Sequence, residues 1–95
     1  MQYKKIKVGK RYIEAINMKL LEKNLIVLRG EKGYVMCGYL NLSVAGKFKD
    51  VAVKIVKVAT IEAALKADVH SCTRNARKLG IYLGQPISEV IKIIA

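Results

Sequence analysis

Over the first forty residues, apolar and polar positions alternate with a period near two, which predicts strands. Tyr3 to Val8 alternates loosely and reads as a first strand, closed by a turn at Gly9-Lys10-Arg11. Tyr12 to Leu21 reads as a second. It sets Glu14, Ile16, Met18 and Leu20 on one face and Ile13, Ala15, Asn17 and Lys19 on the other. Neither face is cleanly polar, so contact is expected on both sides. Glu22 to Asn24 supplies a turn, Leu25 to Leu28 is an apolar run of strand length, and Gly30-Glu31-Lys32-Gly33 joins it to Tyr34–Leu40 as a hairpin. That hairpin is apolar on both faces, which places it at the centre of a sheet.

The second half changes period. Asn41 to Phe48 is expected to form a short helix capped by Asn41, with Leu42, Ala45 and Phe48 on its apolar side; Gly46 weakens it. Val51 to Val58 is rich in β-branched residues and predicts a strand. Thr60 then caps a helix carrying Glu62 in its first turn and Ile61, Ala64 and Leu65 as its buried stripe. A further helix is expected from Ser71 to Leu79, burying Cys72, Ala76 and Leu79 and stopping at Gly80. The last begins at Pro86, with Ile87, Val90, Ile91 and Ile94 at i, i+3, i+4 and i+7. Strands first and mostly helices after predict an α+β or mixed α/β fold: mainly antiparallel N-terminal strands, one more strand, and two to three C-terminal helices in a single domain over residues 1–95.

Composition narrows the class. Hydrophobic residues make up 53% of the chain and aromatic ones only 6%, so the core must be aliphatic. No apolar signal core follows Met1–Lys5, and the longest weakly polar run, Tyr34 to Gly46, is too short to span a bilayer. Two cysteines without a leader point to reduced thiols and a cytoplasmic setting, with no membrane. The net charge of +11 raises the question of an anionic partner. A Lys-rich surface of the kind seen in proteins from hot environments is the alternative, weakened by the scarcity of acids.

The segment Lys32-Gly33-Tyr34-Val35-Met36-Cys37-Gly38, within Glu31–Asn41, resembles a Lys-Gly-aromatic-aliphatic-x-Cys-Gly stretch of the YunC-like family, the domain of unknown function 1805. Agreement continues at Val58–Glu62 with Leu65, and at Ala76–Ile81 with Gly84. The resemblance implies a mixed α/β domain whose N-terminal sheet region assembles a homo-oligomer, with a tetramer the expected number. It implies no reaction, since the family has none assigned.

Candidate chemistry is sparse. A catalytic cysteine needs a depressed pKa and a partner to take its proton. Cys37 sits mid-strand between Met36 and Gly38, and His70 is the one histidine. Cys37 is therefore the weak candidate for a nucleophile, in a site assembled between subunits, and more readily a small core side chain. Gly38 could admit a ligand or mark a bulge. Cys37, His70 and Cys72 lack the spacing of a metal site, and neither a P-loop nor a Gly-x-Gly-x-x-Gly occurs, so no metal or cofactor is expected.

The cations form two groups. Lys4, Lys5, Lys7, Lys10 and Arg11 crowd the N-terminus, with Tyr3 and Tyr12 as the only aromatics near them. Arg74, Arg77 and Lys78 form a ridge on the helix after Ser71. Arg74 and Lys78 repel each other at i, i+4, so the ridge is the expected anion site. The reading is a binding or regulatory module for a small anion. An enzyme built around Cys37 and a non-specific nucleic-acid-associated protein are the alternatives.

Overall fold

The computed structural model describes residues 1–38 and 41–95. Alternation builds its first half: β1 (Gln2–Val8), β2 (Arg11–Leu20), β3 (Lys23–Arg29) and β4 (Tyr34–Cys37) pair in succession, all antiparallel. The chain then crosses over through helix α1 (Leu42–Lys47) and returns as β5 (Ala52–Ile55), parallel to β4. Helix α2 (Ile61–Leu65) leads to β6 (Ser71–Cys72), antiparallel to β5. Helices α3 (Arg74–Lys78) and α4 (Ile87–Ile94) complete an α+β fold. Among the described residues the six strands lie in sequence order in one sheet, so the apolar β3–β4 hairpin is central, as its pattern predicts.

Register decides which face is buried. Lys4, Ala15, Leu28, Val35, Val53 and Cys72 stand side by side across all six strands. From Ala15 onward every one is buried. Against this row pack Ile61 and Ala64 of α2, Ala76 of α3, and Ile87, Val90 and Ile94 of α4. Burying each large aliphatic side chain stabilises the fold by about 1.5–3 kcal/mol. The β3–β4 turn docks onto the end of α4: Lys32 N–H donates to the Ile94 carbonyl at 2.8 Å. A Cβ on Gly30 would overlap that carbonyl, so only glycine fits.

Side-chain caps start three helices where the sequence predicts or allows them. Asn41 accepts from Ser43 and Val44, Thr60 from Ala63, and Thr73 from Ala76. The third cap corrects the helix expected over Ser71–Leu79. Ser71 and Cys72 instead pair with β5, because that edge offers ladder partners, and the helix begins only after Thr73. Cys72 is buried from a strand, while Leu79 is 45% exposed at the C-cap. Gly80 does take the left-handed conformation, at φ +97.

Other boundaries move as well. Leu21 leaves β2 with φ +55 and is 95% exposed at a hairpin tip, while Lys23 and Asn24, expected in the turn, pair within β3. The strand expected over Val51–Val58 contracts to Ala52–Ile55, and Lys57 turns left-handed beyond it. Phe48, placed on α1's apolar side by spacing, is 75% exposed, because the helix ends at Lys47 and Phe48 is its C-cap. Tyr39 and Leu40, expected at the end of a strand, lie outside the described residues; β4 ends at Cys37.

Candidate functional site

Helix α1 packs on β5 from the reverse face of the sheet, where Ala45 and Ala52 are buried apart from the main core. The turn that follows passes through Lys49, a non-glycine residue at φ +61. Thr73 fastens the start of α3 to this turn. Its hydroxyl donates to the Asp50 carbonyl at 2.7 Å and accepts from Ala52 N–H at 3.1 Å. Asn75 adds a bond from its side-chain amide to the Lys49 carbonyl at 2.7 Å. A cleft of about 280 Å³ remains between α1 and α3, lined by Lys49, Asp50, Thr73, Arg74, Asn75 and Lys78.

Lys49, Arg74 and Lys78 have no ion-pair partner among the described residues. The single carboxylate of the cleft, Asp50, accepts from the Tyr34 hydroxyl at 2.9 Å. Burial, and then the bond to Asp50, push Tyr34 up to about 12, so it stays a neutral donor. Three cations against one occupied carboxylate leave the cleft electropositive.

The expected ridge divides here. Arg77 lies about 100° around the helix from Lys78 and lines a separate depression with Gly80, Ile81, Tyr82 and Leu83. Lys49 takes its place in the cleft. Sequence reasoning misses Lys49, and no local signal marks it, because its position depends on how the crossover returns.

Cys37 is buried at the end of β4. Its Sγ accepts from the Ile26 N–H at 3.1 Å and lies 3.3 Å from the Asn24 carbonyl, to which the thiol donates. The side chain thus occupies the ladder position after the last β3–β4 backbone pair. Beside it Gly38 has φ +28, and a Cβ there would meet nothing within 4 Å. Glycine suits this left-handed conformation, which L side chains rarely adopt. His70 is exposed, with Nδ1 3.2 Å from the Ser71 hydroxyl. Since β5 separates β4 from β6, Cys37 lies about 10 Å of strand spacing from the strand that follows His70. No group of three metal-ligating side chains occurs among the described residues.

A larger groove, about 920 Å³, lies on the reverse face at the β1–β2 turn. Lys5, Glu14, Arg29 and Tyr34 form one row there. Glu14 accepts from the Tyr3 hydroxyl at 2.8 Å and from Arg29. These two bonds, Tyr3 first, hold its carboxyl below the usual range. Arg11 reaches Glu31 at 3.4 Å. Further along the same face, Ile16, Val27 and Met36 share a row and Met18 stands opposite Leu25, all half-buried or exposed.

Residues 36–94 match the family model of the domain of unknown function DUF1805. The chain is also 35% identical over 81 residues to the uncharacterized protein YunC of Bacillus subtilis (strain 168), covering 81% of this chain and 80% of that one. It belongs to the YunC-like, DUF1805 family. Among solved structures, a protein of unknown function, TA1206 from Thermoplasma acidophilum, superposes with a TM-score of 0.94 at 33% identity, covering 99% of this chain and 92% of that one. The YunC-like match spans Cys37 and the whole α1–α3 cleft, and the residues lining the groove on β1–β3 lie outside it. No helix of the described residues is long and apolar enough to cross a membrane.

Proposed function

We propose that this YunC-like protein is a binding module for a small anion, held between α1 and α3 by Lys49, Arg74 and Lys78. The observation that carries this reading is the convergence of three cations without ion-pair partners on one cleft. Its walls are tied together by Thr73 and Asn75, so the site is pre-organised and little ordering cost falls on binding. Arg74 supplies the planar fork suited to an oxyanion, and the lysines supply point charges. Calorimetric titration with inorganic phosphate and sulfate tests it. Arg74→Ala should weaken binding about tenfold, in line with loss of one charge-assisted hydrogen bond, whereas Arg77→Ala should leave it unchanged. Equal loss from both variants would point to diffuse surface charge and overturn the site.

The same proposal includes self-association, through the apolar end of the reverse face where Ile16, Met18, Leu25, Val27 and Met36 gather. The free edge of β1, with Lys4, Lys5 and Lys7, discourages strand-to-strand pairing, so a face-to-face contact is favoured, and the tetramer implied by the family resemblance is the working number. A cytoplasmic setting agrees with two unpaired thiols. An enzyme built on Cys37 is disfavoured by the thiol's burial and its place in the β3–β4 ladder.

A further inference from the structure

We infer that the reverse face of β1 and β2 is a platform for single-stranded nucleic acid, at a site separate from the α1–α3 cleft. In sequence Tyr3 and Tyr12 are the only aromatics near the first basic cluster. The β1–β2 hairpin puts them on one face: Tyr3 lies opposite Ile16 and Tyr12 opposite Lys7. Four residue steps therefore separate the two rings along the sheet, about 13 Å. Tyr3 is 53% and Tyr12 47% exposed, so each offers ring surface to solvent.

Cations occupy the space between and beside the rings. Lys5 and Lys7 alternate with Tyr3 on the same side of β1, and the Lys5 ammonium lies 4.8 Å from the centre of the Tyr12 ring. Lys10, Arg11 and Arg29 line the same groove. Its two side-chain carboxylates are both engaged, Glu14 by Tyr3 and Arg29 and Glu31 by Arg11. Lys5, Lys7 and Lys10 remain without ion-pair partners among the described residues.

Successive aromatic faces with interleaved cations suit a strand whose bases stack while its phosphates meet the lysines. A mononucleotide would use one ring and leave the other idle. A duplex hides its base faces and could engage the charge alone. The groove holds no bidentate arrangement aimed at a base edge, so binding is independent of sequence.

Fluorescence anisotropy with a short labelled oligouridylate, and its oligothymidylate counterpart, at about 50 mM salt tests the inference. Both strands should bind, more tightly than a duplex of equal length. Tyr12→Ala should weaken binding about tenfold and Tyr12→Phe should restore it, since stacking needs only the ring. Replacing Lys5 and Lys7 with Gln should reduce the log–log salt slope by about 1.4. Joint alanine replacement of Arg74 and Lys78 should change nothing, which separates this site from the proposed anion cleft. Far-UV circular dichroism of each variant establishes that the fold is kept. Preference for duplex, indifference to Tyr12→Ala, or loss through the Arg74 and Lys78 replacement would each overturn the platform.

Discussion

The two faces of the β-sheet are made from the same strands, one residue out of step, and they differ in what covers them. On one, Ala15, Leu28, Val35, Val53 and Cys72 form a buried row beneath α2, α3 and α4. On the other, Lys5, Glu14, Arg29 and Tyr34 form a row that only α1 approaches, at its far end over β5. The buried row is aliphatic and uniform. The reverse face splits along its strands into a charged end with Tyr12 and an apolar end with Ile16, Met18 and Val27, and Tyr3 stands at the boundary, opposite Ile16 with its hydroxyl on Glu14. A face that helices cover needs only volume and shape, whereas an uncovered face is free to carry groups that meet other molecules. Both proposed contacts of β1–β3, with nucleic acid and with another copy of the chain, fall on the uncovered side.

The largest expected effect belongs to the covered face. Leu28→Ala should cost about 2–5 kcal/mol in denaturant unfolding. A loss below about 1 kcal/mol would mean that the row is not the spine of the core. Next comes the staple at the edge. Thr73→Ala removes the partner of the Ala52 and Ala76 N–H groups and should cost about 2 kcal/mol, with Thr73→Ser recovering most of it.

On the uncovered face, substitutions should spare stability and change partners. Met18→Glu should shift the unfolding free energy by no more than about 0.5 kcal/mol while lowering the mass measured by light scattering below that of the wild-type assembly. An unchanged mass would move assembly off the apolar end. The smallest effect is electrostatic. Glu14 titrates below its ordinary value because of Tyr3 and Arg29, so the stability it contributes is present above the unfolded carboxylate value and is lost as pH falls through the folded one. Tyr3→Phe should raise the Glu14 pKa seen by NMR and flatten that acid limb slightly. No movement would show that Arg29 alone holds the carboxylate.

Much of this architecture is legible in the order of residues alone. The four N-terminal strands, the central β3–β4 hairpin, the caps at Asn41 and Thr60 and the stripe of α4 all follow from local period and capping chemistry. The pattern puts Cys72 on the right side of the core but in the wrong element. A two-residue strand has no period to detect, and only pairing with β5 defines it. The cleft is half legible: Arg74 and Lys78 share a helix face at i, i+4, but Arg77 at i+3 fits that face as well by spacing, and only the fold assigns it to a separate depression. The hydroxyl of Thr73 and the left-handed Lys49 enter through hydrogen bonds that span more than twenty residues.

By itself the sequence determined which residues of each strand share a face, where most helices begin, the aliphatic character of the core and the family, because these depend on neighbours within a few positions. The tertiary structure alone decided which face the helices cover, that Lys49 joins Arg74 and Lys78, and that Tyr3 and Tyr12 stand on one surface with Lys5 and Lys7. Those outcomes depend on strand register and on the crossover between β4 and β5, which bring together residues whose separation along the chain carries no local trace of their meeting.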